Sequence, residues 1–340
     1  MLSTDSSKNI EKIPWIEKYR PASTDDIISH TEIITSLNRL IDMNTLPHML
    51  FFGPSGTGKT STIKCCATKL YGKYIGFMVL ELNASNERGI ETVRTKIKNF
   101  VTNNTSQYLP TEERQKFKLV ILDEIDSMTA EAQGMLRQII EKNSASTRFC
   151  LICNDIDKIN IALQSRCALF CFKPLKNIEQ RKKLIDICKN EKINYSKDAI
   201  DVIVKLSEGD LRSSINILQH VNLTVDNKIK IDNIYGILGC PSPEINETIF
   251  KNLMKLHNER KTLSETVENI GNIMSENNVT ISNMLDELKN IILTSSFSTN
   301  RKLYIIDKLA DIEIYDSVNA DPRIIVMLIS SVFVLIRSID

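Results

Sequence analysis

A glycine-rich segment that begins at residue 53 has the residue types and spacing of a phosphate-binding loop. Residues 53–60 read G-P-S-G-T-G-K-T and fit the pattern G-x-x-x-x-G-K-[ST] in full. They lie between an apolar run of strand type and a helical stretch, as this motif requires. Such glycines let backbone N–H groups surround a phosphate, and the helix start adds positive potential. We predict that Lys59 reaches the β- and γ-phosphates and that Thr60 offers its hydroxyl to Mg²⁺.

Two carboxylates follow another apolar run and would complete a site for hydrolysis. Residues 119–122 read L-V-I-L, and Asp123 and Glu124 come directly after them. We predict that Asp123 is the carboxylate on the Mg²⁺ side. Glu124 is then placed to orient and deprotonate the attacking water as a general base. A solvated acidic strand end is the alternative, and the phosphate loop argues against it.

Three further polar residues could act on the nucleotide. Asn154 ends an apolar run, where its amide could hydrogen-bond the γ-phosphate or the water, unless it only forms a turn. Arg212 begins a helix and could reach the phosphates, unless it is solvated. Arg166 precedes the last apolar run and would lie away from its own phosphate loop. It is therefore a candidate arginine finger acting on a neighbouring subunit, worth about 10³–10⁵ in rate, with a structural arginine as the alternative.

Apolar runs that alternate with amphipathic stretches must position these residues. The pattern predicts a βα alternation, and hence an α/β fold in which a parallel sheet is covered by helices on both faces. After residue 174 the strand signal stops, and short helices are predicted, followed by an all-helical segment of about five helices. The predicted organisation is a flexible terminus at 1–12, an α/β domain with the phosphate loop at 13–173, a small helical domain at 174–238 and an all-helical domain at 239–340. The predicted strand runs are 48–52, 77–82, 118–122, 148–153 and 168–172.

Composition excludes several classes of protein. The 340 residues include 42% hydrophobic and 25% charged residues, which is ordinary for a packed globular chain. The net charge of +1 means that any nucleic-acid contact must come from local patches. The most apolar stretch, residues 324–336, is shorter than the roughly 18 residues that span a bilayer. No signal-peptide pattern begins the chain, so we expect the cytosol or nucleus and free thiols.

Four of the eight cysteines have a spacing that resembles a zinc site. Cys150 and Cys153 are followed by Cys167 and Cys171. Residues three apart on a strand point to opposite faces, so one ion could not easily take both of the first two. Small buried hydrophobes are the preferred interpretation.

Six motifs follow one another along the chain. Their order resembles that in clamp-loader ATPases of the AAA+ class, and the chain is most similar to the small subunits of eukaryotic replication factor C. The sequence near residues 46–48 and 148–154 resembles that of the subunit at the middle position of the five-subunit arc. The likeness covers about residues 13–221, and the helical tail agrees in length and type. The motifs are W-I-E-K-Y-R-P at 15–21, the phosphate loop, E-L-N-A-S-N-E-R-G-I at 81–90, D-E-I-D at 123–126, S-R-C at 165–167 and G-D-L-R at 209–212.

The resemblance implies an ATP hydrolase that uses ATP and Mg²⁺, with Arg166 completing the site of the adjacent subunit. It also implies that 13–173 is the AAA+ ATPase domain, 174–238 a helical lid and 239–340 an oligomerisation collar. It implies a nuclear heteropentamer of replication factor C subunits that loads the sliding clamp (PCNA) onto primer-template DNA. Residues 15–21 would border the adenine pocket, and Trp15 could also anchor the N-terminal arm. The implied ATP-site residues are Trp15, Tyr19, Arg20, Pro21, Gly53, Pro54, Ser55, Gly56, Thr57, Gly58, Lys59, Thr60, Ser61, Asn154 and Arg212.

The resemblance also implies contacts with DNA and with the clamp. Arg88 and Arg94 match positions that track DNA phosphates, although a solvated helix face would give the same charges. The segment 107–109 is a candidate clamp contact within a polar insertion at 103–115. Ser55 replaces a usual proline and Ser213 replaces a usual arginine.

Two other functions compete with the loader. The chain could be a scaffold that binds ATP as a structural ligand while other subunits turn over. It could also be a homo-oligomeric AAA+ nucleic-acid motor, although no winged-helix pattern follows Gly239.

Overall fold

The computed structural model describes residues 13–85, 90–103, 117–225, 228–259, 263–277, 279–317 and 320–336, without the side chains of 90–94, 257–259 and 317. The chain divides into two compact units, Met1–Gln219 and His220–Asp340. The predicted ATPase domain and most of the predicted lid lie in the first unit. The predicted domain boundaries at 12, 173 and 238 stay predictions.

A five-stranded parallel sheet forms the centre of the first unit, as the sequence predicts. The strand order is β2-β3-β4-β1-β5, so the first strand lies inside the sheet between the fourth and fifth. The central strands are buried almost throughout because helices cover both faces. The strands are β1 Met49–Phe52, β2 Val79–Asn83, β3 Lys118–Asp123, β4 Thr147–Cys153 and β5 Ala168–Cys171.

The helices that cover the sheet of the first unit pack on two separate cores, one on each face. Alternation along β1 explains this arrangement, since Met49 and Phe51 join one core and Leu50 joins the other. The helices are α1 Trp15–Lys18, α2 Thr31–Asp42, α3 Lys59–Tyr71, α4 Ile75–Met78, α5 Ile90–Thr102, α6 Ala130–Asn143, α7 Ile161–Gln164, α8 Asn177–Asn190, α9 Lys197–Leu206 and α10 Leu211–Thr224, the last of which continues past Gln219. Helices α2 and α3 contribute to the first core, and α5, α6 and α7 to the second.

The two strand cysteines lie on opposite faces of β4, as their spacing predicts. Cys150 belongs to the first core and Cys153 to the second. Both side chains are buried and pack as small hydrophobes. Across the described ranges, no group of three or more His, Cys, Asp or Glu side chains could hold a metal ion.

The parallel sheet brings the segments that follow three of its strands together at one edge, the one formed by the carboxyl ends of the strands. The register pairs Phe52 with Cys153 and Leu122 with Leu151, so β1, β3 and β4 end almost level. The phosphate loop leaves β1 at this edge, Asp123 ends β3, and Asn154 follows β4. The sheet therefore assembles residues that are far apart in sequence.

The second unit consists of helices over its described residues from 231 onward. The helices from residue 243 onward pack around one core that includes Leu253, Leu285, Leu309 and Phe333. No helix in the described part of either unit is both long and apolar enough to cross a membrane. The helices are α11 Ile231–Leu238, α12 Pro243–Glu259, α13 Leu263–Glu276, α14 Ile281–Thr294, α15 Thr299–Ser317 and α16 Pro322–Leu335.

Shortening Phe333 should destabilise the second unit. Its ring is fully buried and meets the Phe250 ring edge to face, with centroids 6.2 Å apart. Phe333→Ala should lower the free energy of unfolding by about 3–5 kcal/mol, because it leaves a cavity in the core. Urea denaturation of the full chain measures this change. Ile324→Ala on the same helix is the control, since that side chain is 50% exposed and should change stability by less than about 0.5 kcal/mol. Equal effects of the two substitutions would contradict the packing described.

Candidate functional site

The phosphate loop follows a path that its glycines make possible. Gly53 has a φ of +139° and Gly56 a φ of +64°, backbone conformations that side chains disfavour. A Cβ at Gly53 would also collide with the carbonyl of Phe172, and one at Gly56 with the carboxylate of Asp210. The loop can therefore approach both neighbouring segments only because these residues have no side chain.

Lys59 is the buried cation of this loop. Its ammonium donates hydrogen bonds to the carbonyls of Gly53 and Pro54, each at 2.7 Å, and to Asn154 Oδ1 at 2.9 Å. The residue is only 7% exposed. Burial lowers the pKa of the Lys59 ammonium, and the nearby Asp123 carboxylate opposes this shift. The structure thus brings together the predicted lysine and the predicted asparagine, which come from two different strand ends.

Thr60 and Asp123 form a second pair at the start of α3. The Thr60 hydroxyl donates to Asp123 Oδ2 at 2.7 Å. Mg²⁺ prefers oxygen ligands, and one carboxylate beside one hydroxyl is the set it commonly takes at a phosphate loop. These two residues therefore fit the predicted metal-binding role.

Glu124 has the left-handed backbone conformation, with a φ of +56°. Its N–H donates to Asp123 Oδ1 at 2.9 Å, and its carbonyl accepts from the Ser127 hydroxyl at 2.7 Å. A non-glycine residue in this conformation is strained by about 1–3 kcal/mol, and such strain concentrates at functional sites. Glu124 lines the cavity and is exposed there, so its carboxylate is free to approach a substrate.

Asp126 has a structural role that the sequence analysis does not assign. One carboxylate oxygen accepts hydrogen bonds from the backbone N–H groups of Asn154, at 3.1 Å, and Asp155, at 3.4 Å. This fixes the end of β4 against the segment that follows β3. The sequence signal is its place as the last residue of the D-E-I-D motif.

Asp210 joins the phosphate loop to the start of α10. Its Oδ2 accepts from the Ser55 hydroxyl at 2.7 Å, while its Oδ1 accepts from the N–H of Ser213 at 2.9 Å and caps the helix. The N–H of Leu211 also donates to the carbonyl of Gly56 at 3.3 Å. These contacts place Arg212 among the residues that line the cavity. The sequence analysis missed this link, which depends on the serine that replaces the usual proline.

A wall that is less polar than the phosphate loop also lines the cavity. Lys18 donates to Glu191 at 2.6 Å, and the Tyr19 hydroxyl donates to the same carboxylate. These contacts fix α1 beside α8. The residues of this wall are Ile16, Tyr19, Arg20, Pro21, Ile27, Ile28, Leu175, Lys183, Leu211 and Ile215.

Trp15 does not line the cavity with its predicted neighbours. Its side chain is buried, and its ring lies edge to face with Tyr19. Its backbone N–H donates to Gln219 Oε1 at 3.0 Å. The position matches the alternative prediction, in which Trp15 anchors the N-terminal arm. The predicted site residues that line the cavity are Tyr19, Arg20, Pro21, Ser55, Gly56, Thr57, Gly58, Lys59, Thr60, Ser61, Asp123, Glu124, Asn154 and Arg212.

Arg166 is not among the residues that line the cavity. One of its terminal nitrogens pairs with Glu141 on α6, and the other donates to the carbonyl of Ala162 at 2.8 Å. Arg88, the side chain of Arg94 and the segment 107–109 lie outside the described residues. The predictions for DNA and clamp contacts therefore stay predictions.

Adding a methyl group at Gly56 should weaken nucleotide binding. Gly56→Ala places a side chain at a positive φ and against Asp210, so the loop or the start of α10 must move. We expect ATP affinity to fall about 5- to 30-fold, because the left-handed conformation alone costs roughly 1–2 kcal/mol. Titration with a fluorescent ATP analogue measures this. Gly134→Ala is the matched control, since a Cβ there meets nothing within 4 Å. Unchanged affinity for Gly56→Ala would contradict the importance of this close approach.

The chain is similar to known proteins over most of its length. Residues 49–175 match the family described as "ATPase family associated with various cellular activities (AAA)", and residues 182–223 match "RCF1/5-like, AAA+ ATPase lid domain". The chain is 58% identical to a putative replication factor C small subunit of Acanthamoeba polyphaga mimivirus, over 97% of this chain and 96% of that protein. It is 42% identical to replication factor C subunit 3 of Schizosaccharomyces pombe, over 88% of this chain and 84% of the relative. A structure of RuvB from Thermotoga maritima aligns with a TM-score of 0.51 over 80% of this chain and 91% of the other, and its 17% identity indicates a shared fold alone.

Proposed function

Because the chain belongs to the replication factor C small-subunit family of AAA+ ATPases, we propose that it is an ATP-hydrolysing subunit of a five-subunit clamp loader. ATP binding assembles the complex that opens the ring-shaped clamp, primed DNA triggers hydrolysis, and hydrolysis releases the closed clamp. The observation that carries this proposal is the assembly of Lys59, Thr60, Asp123 and Glu124 at one sheet edge. The relative named subunit 3 supports the middle position in the arc.

Substrate binding uses the loop and the pairs on either side of it. Backbone N–H groups of the loop and the start of α3 hold the phosphates, and the Lys59 ammonium donates to the β- and γ-phosphate oxygens. Thr60 and Asp123 hold Mg²⁺, which when bound adds positive charge beside those oxygens. The wall that includes Tyr19, Ile28 and Ile215 surrounds the base.

Hydrolysis depends on a water placed between Glu124 and the γ-phosphate. Glu124 accepts a proton from this water as the water oxygen bonds to the γ-phosphorus and the bond from that phosphorus to the β–γ bridging oxygen breaks, which releases ADP. The amide of Asn154 orients the water or the γ-phosphate. The existing Lys59–Asn154 hydrogen bond supports this role, since it puts the amide beside the cation that contacts the phosphate. Protonated Glu124 can then return its proton to the phosphate product.

Arg212 reports the state of the nucleotide to the lid. Asp210 holds the start of α10 against the phosphate loop, so Arg212 begins close to the site. Loss of the γ-phosphate removes a negative charge that attracts the guanidinium, and α10 is then less strongly held. This couples hydrolysis to movement of the lid.

Arg166 acts on the ATP site of the adjacent subunit. Its absence from the cavity lining of its own subunit supports this role. A guanidinium at the γ-phosphate offsets charge that develops in the transition state. The complex therefore hydrolyses ATP at sites built from two chains, with the other replication factor C subunits as direct partners.

The remaining partners are the clamp and primed DNA. Arg88 and Arg94 contact DNA phosphates without reading sequence, and the segment 107–109 contacts the clamp PCNA. We assign the complex to the nucleus in a cell that keeps its replication machinery there.

Exposed apolar side chains on the last two helices support a collar. Ile324, Met327 and Leu335 recur along α16, and Leu303 and Ile314 lie on α15. Such stripes on a helical unit that already has a complete core are typical of protein interfaces. We propose that the other subunits of the loader cover them.

Blocking the general base distinguishes a working ATPase from a scaffold. In the complex purified through this chain, Glu124→Gln should leave ATP binding intact and reduce hydrolysis at this site about 10²–10⁴-fold. Clamp release on primed DNA should slow accordingly. Glu131→Gln, an exposed glutamate in the first turn of α6, is the control. Normal clamp loading by the Glu124→Gln complex would support the scaffold function.

A charge on the apolar stripe should disrupt assembly. Met327→Glu places a carboxylate on a side chain that is 45% exposed in this chain and buried in the proposed collar. Native mass spectrometry of the complex in ATP and Mg²⁺ should show four different partners for the natural chain and a smaller assembled fraction for the variant. Met43→Glu, on a more exposed methionine after α2, should assemble normally. A homohexamer of the natural chain would contradict the loader proposal.

A further inference from the structure

Glu141 holds two arginines with one carboxylate oxygen. Its Oε1 accepts from Nε of Arg137 at 3.0 Å and also pairs with a terminal nitrogen of Arg166. The other terminal nitrogen of Arg166 donates to the carbonyl of Ala162 at 2.8 Å. The guanidinium of Arg166 is therefore held at Glu141 on α6 and at Ala162 on α7, the short helix that precedes Arg166.

We propose that Glu141 is the positioning residue of the Arg166 finger. It fixes the guanidinium in the orientation in which the finger enters the ATP site of the adjacent subunit. This inference rests on the proposed function, in which Arg166 acts in trans.

A surface arginine needs such a contact in order to act as a finger. The Arg166 side chain is 35% exposed, and an arginine has many rotamers. Each interface that forms would otherwise have to select one of them, and a small misplacement of a catalytic group strongly reduces rate. A rotamer fixed before the subunits meet removes this cost.

Charge balance also requires Glu141. Arg137 and Arg166 meet the same carboxylate oxygen, so their like charges lie close together. The Arg137 hydrogen bond holds the pKa of Glu141 below its usual range, so the carboxylate is ionised at neutral pH. Without that negative charge, the two guanidinium groups would repel one another and Arg166 would move away.

The contact geometry favours positioning over inhibition. A guanidinium has several N–H donors in one plane, and Glu141 and Ala162 each use one on Arg166. The donors that remain can bind a phosphate oxygen while Glu141 stays in place.

The test compares single and double variants in the complete complex. We define the Arg166-dependent rate as the difference in ATP hydrolysis, stimulated by clamp and primed DNA, between the natural and Arg166→Ala complexes. Glu141→Ala should lower this rate about tenfold, with little change in the KM for ATP. The Glu141→Ala/Arg166→Ala double variant should match Arg166→Ala. Glu131→Ala on the same helix is the matched control and should leave the rate unchanged.

Each outcome bears on a distinct claim. If Arg166→Ala leaves hydrolysis unchanged, the trans role in the proposed function fails, and the inference fails with it. If Arg166→Ala lowers the rate but Glu141→Ala does not, the inference alone is overturned. A double variant slower than Arg166→Ala also overturns it, since Glu141 would then act elsewhere. Should Glu141→Ala reduce assembly, Glu141→Gln keeps the size and one acceptor, and an unchanged rate with that variant would overturn the inference too.

Discussion

A buried ammonium group organises the candidate site. Lys59 is one residue past the last glycine of the loop, yet it contacts the loop carbonyls and Asn154 at the end of another strand. A cation taken from water needs several acceptors close by, so the loop and β4 must keep a fixed separation. The same need brings Asp123 near, which in turn fixes Thr60. The proposed binding of phosphate and metal and the proposed position of the general base all depend on this arrangement.

The lid is tied to the loop by a second, smaller set of contacts. Asp210 caps α10 and accepts from Ser55, and a glycine at 56 is what lets the two segments approach. Arg212, the proposed sensor, is therefore positioned by the proposed phosphate loop. A chain with proline at residue 55 could not donate this hydrogen bond, because proline has no hydroxyl.

The two arginines that we propose to act on nucleotide, Arg212 and Arg166, contact carboxylates in different ways. Arg212 follows an aspartate in its own helix cap, while Arg166 is held by Glu141 from a neighbouring helix. The first contact ties an arginine to its own ATP site. The second leaves an arginine outside that site, at the surface where another subunit would bind.

Sequence alone determined the features that depend on local spacing. The phosphate loop, the acidic strand end, the parallel sheet and the helical tail could be predicted because each depends on neighbouring residues or on periodicity. Tertiary structure decided the contacts between distant residues. Ser55 and Asp210 are 155 residues apart in sequence, and Arg166, which follows α7, pairs with Glu141 on α6. Trp15 packs outside the cavity that its neighbours line. No local pattern encodes these contacts, since they depend on how the sheet and helices bring distant side chains within hydrogen-bond reach.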